Sequence, residues 1–119
     1  MSQYRVLGKL LGANFNVTTD QTVALGYGHA IVTDIVVTNV STSLTLAAGG
    51  FYTGAAKGGT VIVAATQVYA ALTAAGLALK AVMAAPVRIT SAQIFFSLTT
   101  AQGGPATGDI YVLGIEADQ

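Results

Sequence analysis

HAIVTDIVVTNVS, His29 to Ser41, is the stretch whose reading decides the fold. It is the longest run rich in Val, Ile and Thr, and it closes on an Asn-Val-Ser-Thr-Ser turn cluster. β-Branched side chains are stiff at χ1 and pack well on a pleated surface, so the run reads as a strand. A plain two-residue alternation puts Ile31, Thr33, Ile35 and Val37 on one face, and Val32, Asp34, Val36 and Thr38 on the other. Neither face is wholly polar, which predicts a central strand covered on both sides.

The rest of the chain continues this pattern in shorter pieces. Upstream, Tyr4 to Leu11 reads as an edge strand with Arg5 and Lys9 on one face; charge on an edge discourages stray pairing. Asn14–Thr18 and Thr22–Leu25 are strand-like pieces around a Thr19-Asp20 turn, and Gly26-Tyr27-Gly28 makes the corner before His29. Downstream, Leu44–Ala48, Phe51–Thr53 and Thr60–Ala64 are short strands, with the glycine-rich loop Gly54–Gly59 before the last. Ala64–Ala85 is rich in alanine, the best helix former. It also carries Gly76 in its middle and alternates through Leu77, Leu79, Ala81 and Met83. We therefore expect two strands there, Val68–Leu72 and Leu77–Met83, with one helical turn near Ala65–Tyr69 as the alternative. Gln93–Leu98 alternates cleanly. In Asp109–Glu116, Tyr111, Leu113 and Ile115 face one way, Ile110 and Val112 the other. The expected fold is all-β: one antiparallel β-sandwich domain over residues 1–119, jelly-roll-like, with about eight short strands and residues 1–14 as an N-terminal arm or edge strand.

Composition narrows the function. Charged residues are 8 % of the 119, with five Lys+Arg against five Asp+Glu. An ordinary soluble domain carries about 25 %, and a chain with no net charge tends to associate. We therefore expect a subunit that lives in an assembly. No basic surplus points to nucleic acid or an anionic membrane. With no cysteine there are neither disulfides nor thiolate metal sites. The opening MSQYRVLGKLLGANF is too polar for a signal peptide. Val68–Leu79, the most apolar run, falls short of the roughly 20 residues that span a bilayer.

No constellation for catalysis or cofactor binding emerges, and we expect neither an enzyme nor a cofactor. His29 is the sole histidine and has no second ligand type beside it. Gly26-Tyr27-Gly28 and Lys57-Gly58-Gly59-Thr60 resemble nucleotide loops in residue type, but a strand follows each where a helix N-terminus is required. Asp109 and Glu116 stand at opposite ends of one strand, too far apart for a glycosidase pair. Asp34 is expected to bond a neighbouring Thr or to pair with Lys80 or Arg88. Tyr27, Phe51 and Tyr52 could form a sugar-stacking platform, although core or interface roles suit them better.

YRVLGKLLG, TVALGYGHAIVTDIVVTNVS, GGFYTGAAKGG, VYAALT and SLTTAQGGPATGDIYVLG together resemble small β-sandwich virion proteins of tailed bacteriophages. One departure is Leu25-Gly26-Tyr27-Gly28, where that group carries Pro-Ala-Gly. The resemblance implies a capsid decoration (cement) protein that binds the outside of an assembled phage head, made in the host cytoplasm and carried on the virion, or else a neck or tail component. Its implied partners are the major capsid protein and copies of itself, as a homotrimer. The alternative is a carbohydrate- or receptor-binding jelly-roll module of a tail or neck fibre. Candidate interface residues are Tyr4, Arg5, Leu7, Lys9 and Leu11 in the arm, and Tyr111, Leu113 and Ile115 in the last strand. The arm, rather than the Gly54–Gly59 loop, is expected to carry attachment by adding a strand to a neighbour.

Overall fold

A computed structural model describes residues 4–117. Met1–Gln3 of the expected arm, and the side chain of Tyr4, lie outside what it describes. The strands are β1 (Tyr4–Asn14), β2 (Gln21–Ala24), β3 (Ala30–Thr38), β4 (Ala48–Gly54), β5 (Gly58–Val63), β6 (Ala78–Lys80), β7 (Val87–Ile89), β8 (Gln93–Thr100) and β9 (Thr107–Glu116). They form two antiparallel sheets, β1-β9-β3-β6 with β7 also on β3, and β2-β8-β4-β5.

The topology follows from one long hairpin rolled up. Its tip is the β4–β5 turn, and its arms pair β4 with β5, β3 with β6 and β7, β2 with β8, and β1 with β9. Rolling then brings β9 onto β3 and β8 onto β4. That is a jelly roll, the arrangement expected from the short, turn-punctuated strands.

The core between the sheets is built on aromatic contacts. Phe96 stacks on Phe51 at 4.9 Å between ring centroids, and Phe15 meets Phe96 at 5.1 Å and Tyr69 at 5.5 Å. Ile35, Val37, Ile94, Leu98, Ile110 and Val112 fill the space around them, all fully buried.

β3 is central, as expected, but its alternation breaks at a bulge between Val32 and Asp34. The extra residue flips the parity, so Ala30, Val32, Ile35 and Val37 all point inward. Ile31 therefore shares the outer face with Val36, and the expected grouping of Ile31 with Ile35 is corrected.

The alanine-rich region needs a larger correction. Val68–Leu72 makes one isolated bridge, Val68 to Ala48, and of Leu77–Met83 only β6 is a strand. Tyr69 and Leu72 are both buried three residues apart, a spacing that alternation cannot serve. A tight turn serves it, with the Leu72 N–H donating to the Tyr69 carbonyl at 2.9 Å and the Gln67 N–H to the Ala64 carbonyl at 3.0 Å. The same spacing explains Leu44 and Ala47, both buried in a segment expected to be a strand. Phe15–Thr18 is likewise irregular, because the Asn14 side chain accepts the Asn16 N–H at 2.8 Å and turns the chain after β1. β7 has no counterpart in the sequence reading; just past Pro86, it pairs Val87–Ile89 with Ala30–Val32.

The β4–β5 hairpin holds Ala56 and Lys57 in the left-handed region, at φ 56° and 61°. Two successive left-handed residues make a type I′ turn, closed by the Gly58 N–H to the Ala55 carbonyl at 3.0 Å. Left-handed backbone costs an L-residue about 1–2 kcal/mol. The Asp20 carboxylate holds this tip by accepting the Ala56 N–H at 2.7 Å. Ala56→Gly removes the strain at a cost of about 0.4–1 kcal/mol in unfolded-chain entropy. A net gain of about 0.5–1 kcal/mol is expected in urea unfolding, and a loss would contradict the strain argument.

Candidate interaction face

The outer face of the first sheet is the feature that an ordinary solvent-facing sheet does not have. Antiparallel register aligns Ile115 with Ile31 and Arg88, Val6 with Leu113 and Asp34, and Lys9 with Tyr111, Val36 and Lys80. Paired residues share a face, so Ile31, Val36, Tyr111, Leu113 and Ile115 form an apolar centre across β9 and β3. They are partly buried, while Val6 beside them is 49 % exposed. Cations rim the centre: Lys9 on β1, Lys80 on β6 and Arg88 on β7. Lys80 Nζ lies 3.4 Å from Asp34 Oδ1, and Thr33 Oγ1 donates to Asp34 Oδ2 at 3.2 Å. A neighbouring threonine and Lys80, both among the partners expected for Asp34, are thus present.

The expected interface residues separate. Lys9, Tyr111, Leu113 and Ile115 lie on this face, and the Tyr4 backbone pairs with Ile115. Leu7 does not: it is 2 % exposed and belongs to the core, because the β1 bulge between Val6 and Gly8 turns it inward. Leu11 is exposed beside the bulge at Gly12. Arg5 sits at one end of the sandwich, with Nη1 donating to Tyr27 Oη at 2.9 Å and lying 3.2 Å from Glu116 Oε1. Tyr27 chiefly, with Glu116 adding, raises the Arg5 pKa above its usual value. Residues 4–14 are therefore an edge strand of this domain, paired with β9. Ile31, Val36, Val6, Lys80 and Arg88 join the face without being singled out as interface by sequence. The signal is there, in the outward parity of each strand, but it becomes a surface only once the register is known.

The remaining candidates have structural places. Phe51 and Tyr52 are buried, so with Tyr27 they make no exposed stacking platform. His29 is exposed just before β3, and its carbonyl accepts the Ala117 N–H at 3.0 Å. Lys57 Nζ donates to Ser97 Oγ at 3.0 Å. Ser97 is fully buried, so the pair fastens the hairpin to β8 and offers no nucleophile to a substrate. Among the described residues, no group of three or more His, Cys, Asp or Glu could hold a metal ion, and no helix is long and apolar enough to cross a membrane. Comparison with family models, with curated proteins and with solved structures gives no match.

Proposed function

We propose that this chain is a structural subunit of a tailed-phage particle, a capsid decoration protein that attaches through the outer face of its first sheet. The observation that carries the reading is the apolar centre formed by Ile31, Val36, Tyr111, Leu113 and Ile115. A sheet face left to solvent ordinarily alternates to polar residues. This one instead carries five apolar side chains, interrupted by the Asp34–Lys80 pair, a mixture that suits an interface better than open solvent. Lys9 and Arg88 favour an acidic border on the partner, whereas Lys80 is already paired with Asp34. The phage assignment itself, and the homotrimer and major capsid partner that go with it, come from the sequence resemblance. The jelly roll is compatible but does not choose, because the fold also serves lectins. Burial of Phe51 and Tyr52 removes the platform on which the carbohydrate reading depended. In the proposed role the protein acts by mass action: binding only the assembled shell stabilises that shell.

The test is co-sedimentation with undecorated heads, comparing the natural chain with Leu113→Lys. The new lysine faces Asp34 across the β9–β3 ladder, so the fold should tolerate it. We expect saturable binding by the natural chain, copies grouped in threes on the decorated shell by electron microscopy, and at least a roughly 30-fold loss of head affinity in the variant. That loss is the size of a central contact truncated, about 2 kcal/mol. Unchanged binding by a folded Leu113→Lys protein would refute this face as the attachment site.

A further inference from the structure

A second apolar surface lies on the opposite flank from β1, where the edge of the second sheet faces the β6–β7 connection. β5 has a hydrogen-bonded neighbour, β4, on one side only among the described residues. Beside it runs an open groove of about 400 Å³, with Val61, Ile62 and Ala64 on one wall and Val82, Ala84 and Val87 on the other. Val61 is 53 % exposed and Val82 73 %. Among the described residues, no charged side chain lines the groove.

Edge strands are ordinarily protected by charge, because an open row of main-chain donors and acceptors invites another strand. The first sheet follows that rule, with Arg5 and Lys9 on β1, Lys80 on β6 and Arg88 on β7. In the second sheet neither edge strand is charged, but β2 (Gln-Thr-Val-Ala) lies against β1 beside the Gly8–Leu25 bridge, whereas β5, Gly-Gly-Thr-Val-Ile-Val, has only β4 as a paired neighbour among the described residues. Such a groove accepts an extended, uncharged segment with small apolar side chains, held by main-chain hydrogen bonds. β5 itself is a segment of that description.

We propose that the occupant is β5 of a second copy, paired antiparallel about a two-fold axis. Such a contact is self-complementary: each copy lays its edge strand into the other's groove, and Val61 of each packs near Val82 and Val87 of the other. With no charge in strand or groove, nothing repels between the copies. The two four-stranded sheets become one continuous sheet through the dyad. This contact uses a different surface from the head-binding face and does not depend on the phage assignment.

The natural chain has no cysteine, so a single introduced thiol is a clean probe. Near a dyad between antiparallel strands, a residue faces its own counterpart with Cβ atoms about 4.5–5.5 Å apart, close enough for a disulfide. Thr60→Cys and Val61→Cys are oxidised separately at micromolar concentration, with Thr22→Cys on the β2 edge as control. At least one of the first two is expected to cross-link nearly completely as a dimer, and the control to remain uncross-linked. Val61→Lys, at an exposed position, is expected to keep its circular dichroism spectrum while weakening the contact at least roughly 30-fold in sedimentation equilibrium. Both effects should persist in a Leu113→Lys background, which separates this contact from the head-binding face. Failure of both cysteine variants to cross-link, or an unchanged association constant for Val61→Lys, would overturn the proposal. Cross-linking of Thr22→Cys to the same extent would do so too, by showing the pairing to be indiscriminate.

Discussion

Gly114→Ala is expected to abolish folding, with a loss of more than about 4 kcal/mol out of the roughly 5–15 that hold a typical domain. Gly114 lies in β9, paired with Arg5 of β1 on one side and Val32 of β3 on the other. A Cβ built there would overlap the Ile31 carbonyl oxygen and come within 3.0 Å of Leu7 Cδ1. The side chain could yield, but the carbonyl cannot. Ile31 is fixed by pairing with Ile115 on one side and Arg88 on the other, so moving it would unzip β3 from both neighbours. The β3 bulge begins at the next residue, Val32, so the close approach of β9 to β3 falls at its start. Gly76→Ala is the control, because a Cβ there would have nothing within 4 Å and the backbone is not left-handed. That variant should unfold in urea within about 0.5 kcal/mol of the natural chain. A soluble Gly114→Ala protein with the natural midpoint would show that the two strands are not in the close register described.

The same glycine shows what is legible in the sequence and what is not. Alternation in Asp109–Glu116 correctly separates Tyr111, Leu113 and Ile115 from Ile110 and Val112, because β9 keeps its own parity along its length. β3 does not: the bulge after Val32 arises from how it meets β9, so its own residues carry no sign of it. Leu7 escapes a sequence reading for the same reason, since its inward turn depends on the irregular pairing between Val6 and Gly8. The segment around Tyr69 fails differently. There tight turns set a three-residue spacing of buried side chains, which mimics neither strand nor helix over so short a length. The apolar outer face is half visible. Its β9 residues can be read from alternation, but Ile31 and Val36 join them only through cross-strand pairing.

Above about pH 10 the protein is expected to lose stability steeply, and Tyr69 is the principal cause. Its ring is fully buried against Phe15 and Phe96, and its hydroxyl donates to the Gly49 carbonyl at 3.0 Å. Ionisation would remove that donor and set a buried negative charge against the carbonyl oxygen. Burial therefore raises the Tyr69 pKa far above the ordinary phenol value, and neighbouring Tyr52 adds to the shift. Tyr52 is itself raised by burial. A folded-state pKa above the unfolded one means that the stabilisation is fully present below the unfolded value of about 10. It is lost as pH rises from there towards the folded value. Over that interval Tyr69 costs about 1.4 kcal/mol per pH unit and so removes roughly 3 kcal/mol by about pH 12. Urea titrations should thus give a flat unfolding free energy from about pH 7 to 9 and a steep decline beyond about 10. In Tyr69→Phe, neutral-pH stability should fall by about 1 kcal/mol for the lost hydrogen bond, while the alkaline slope shrinks by the equivalent of one proton. A Tyr69→Phe protein that kept the full slope would assign the alkaline loss to other groups.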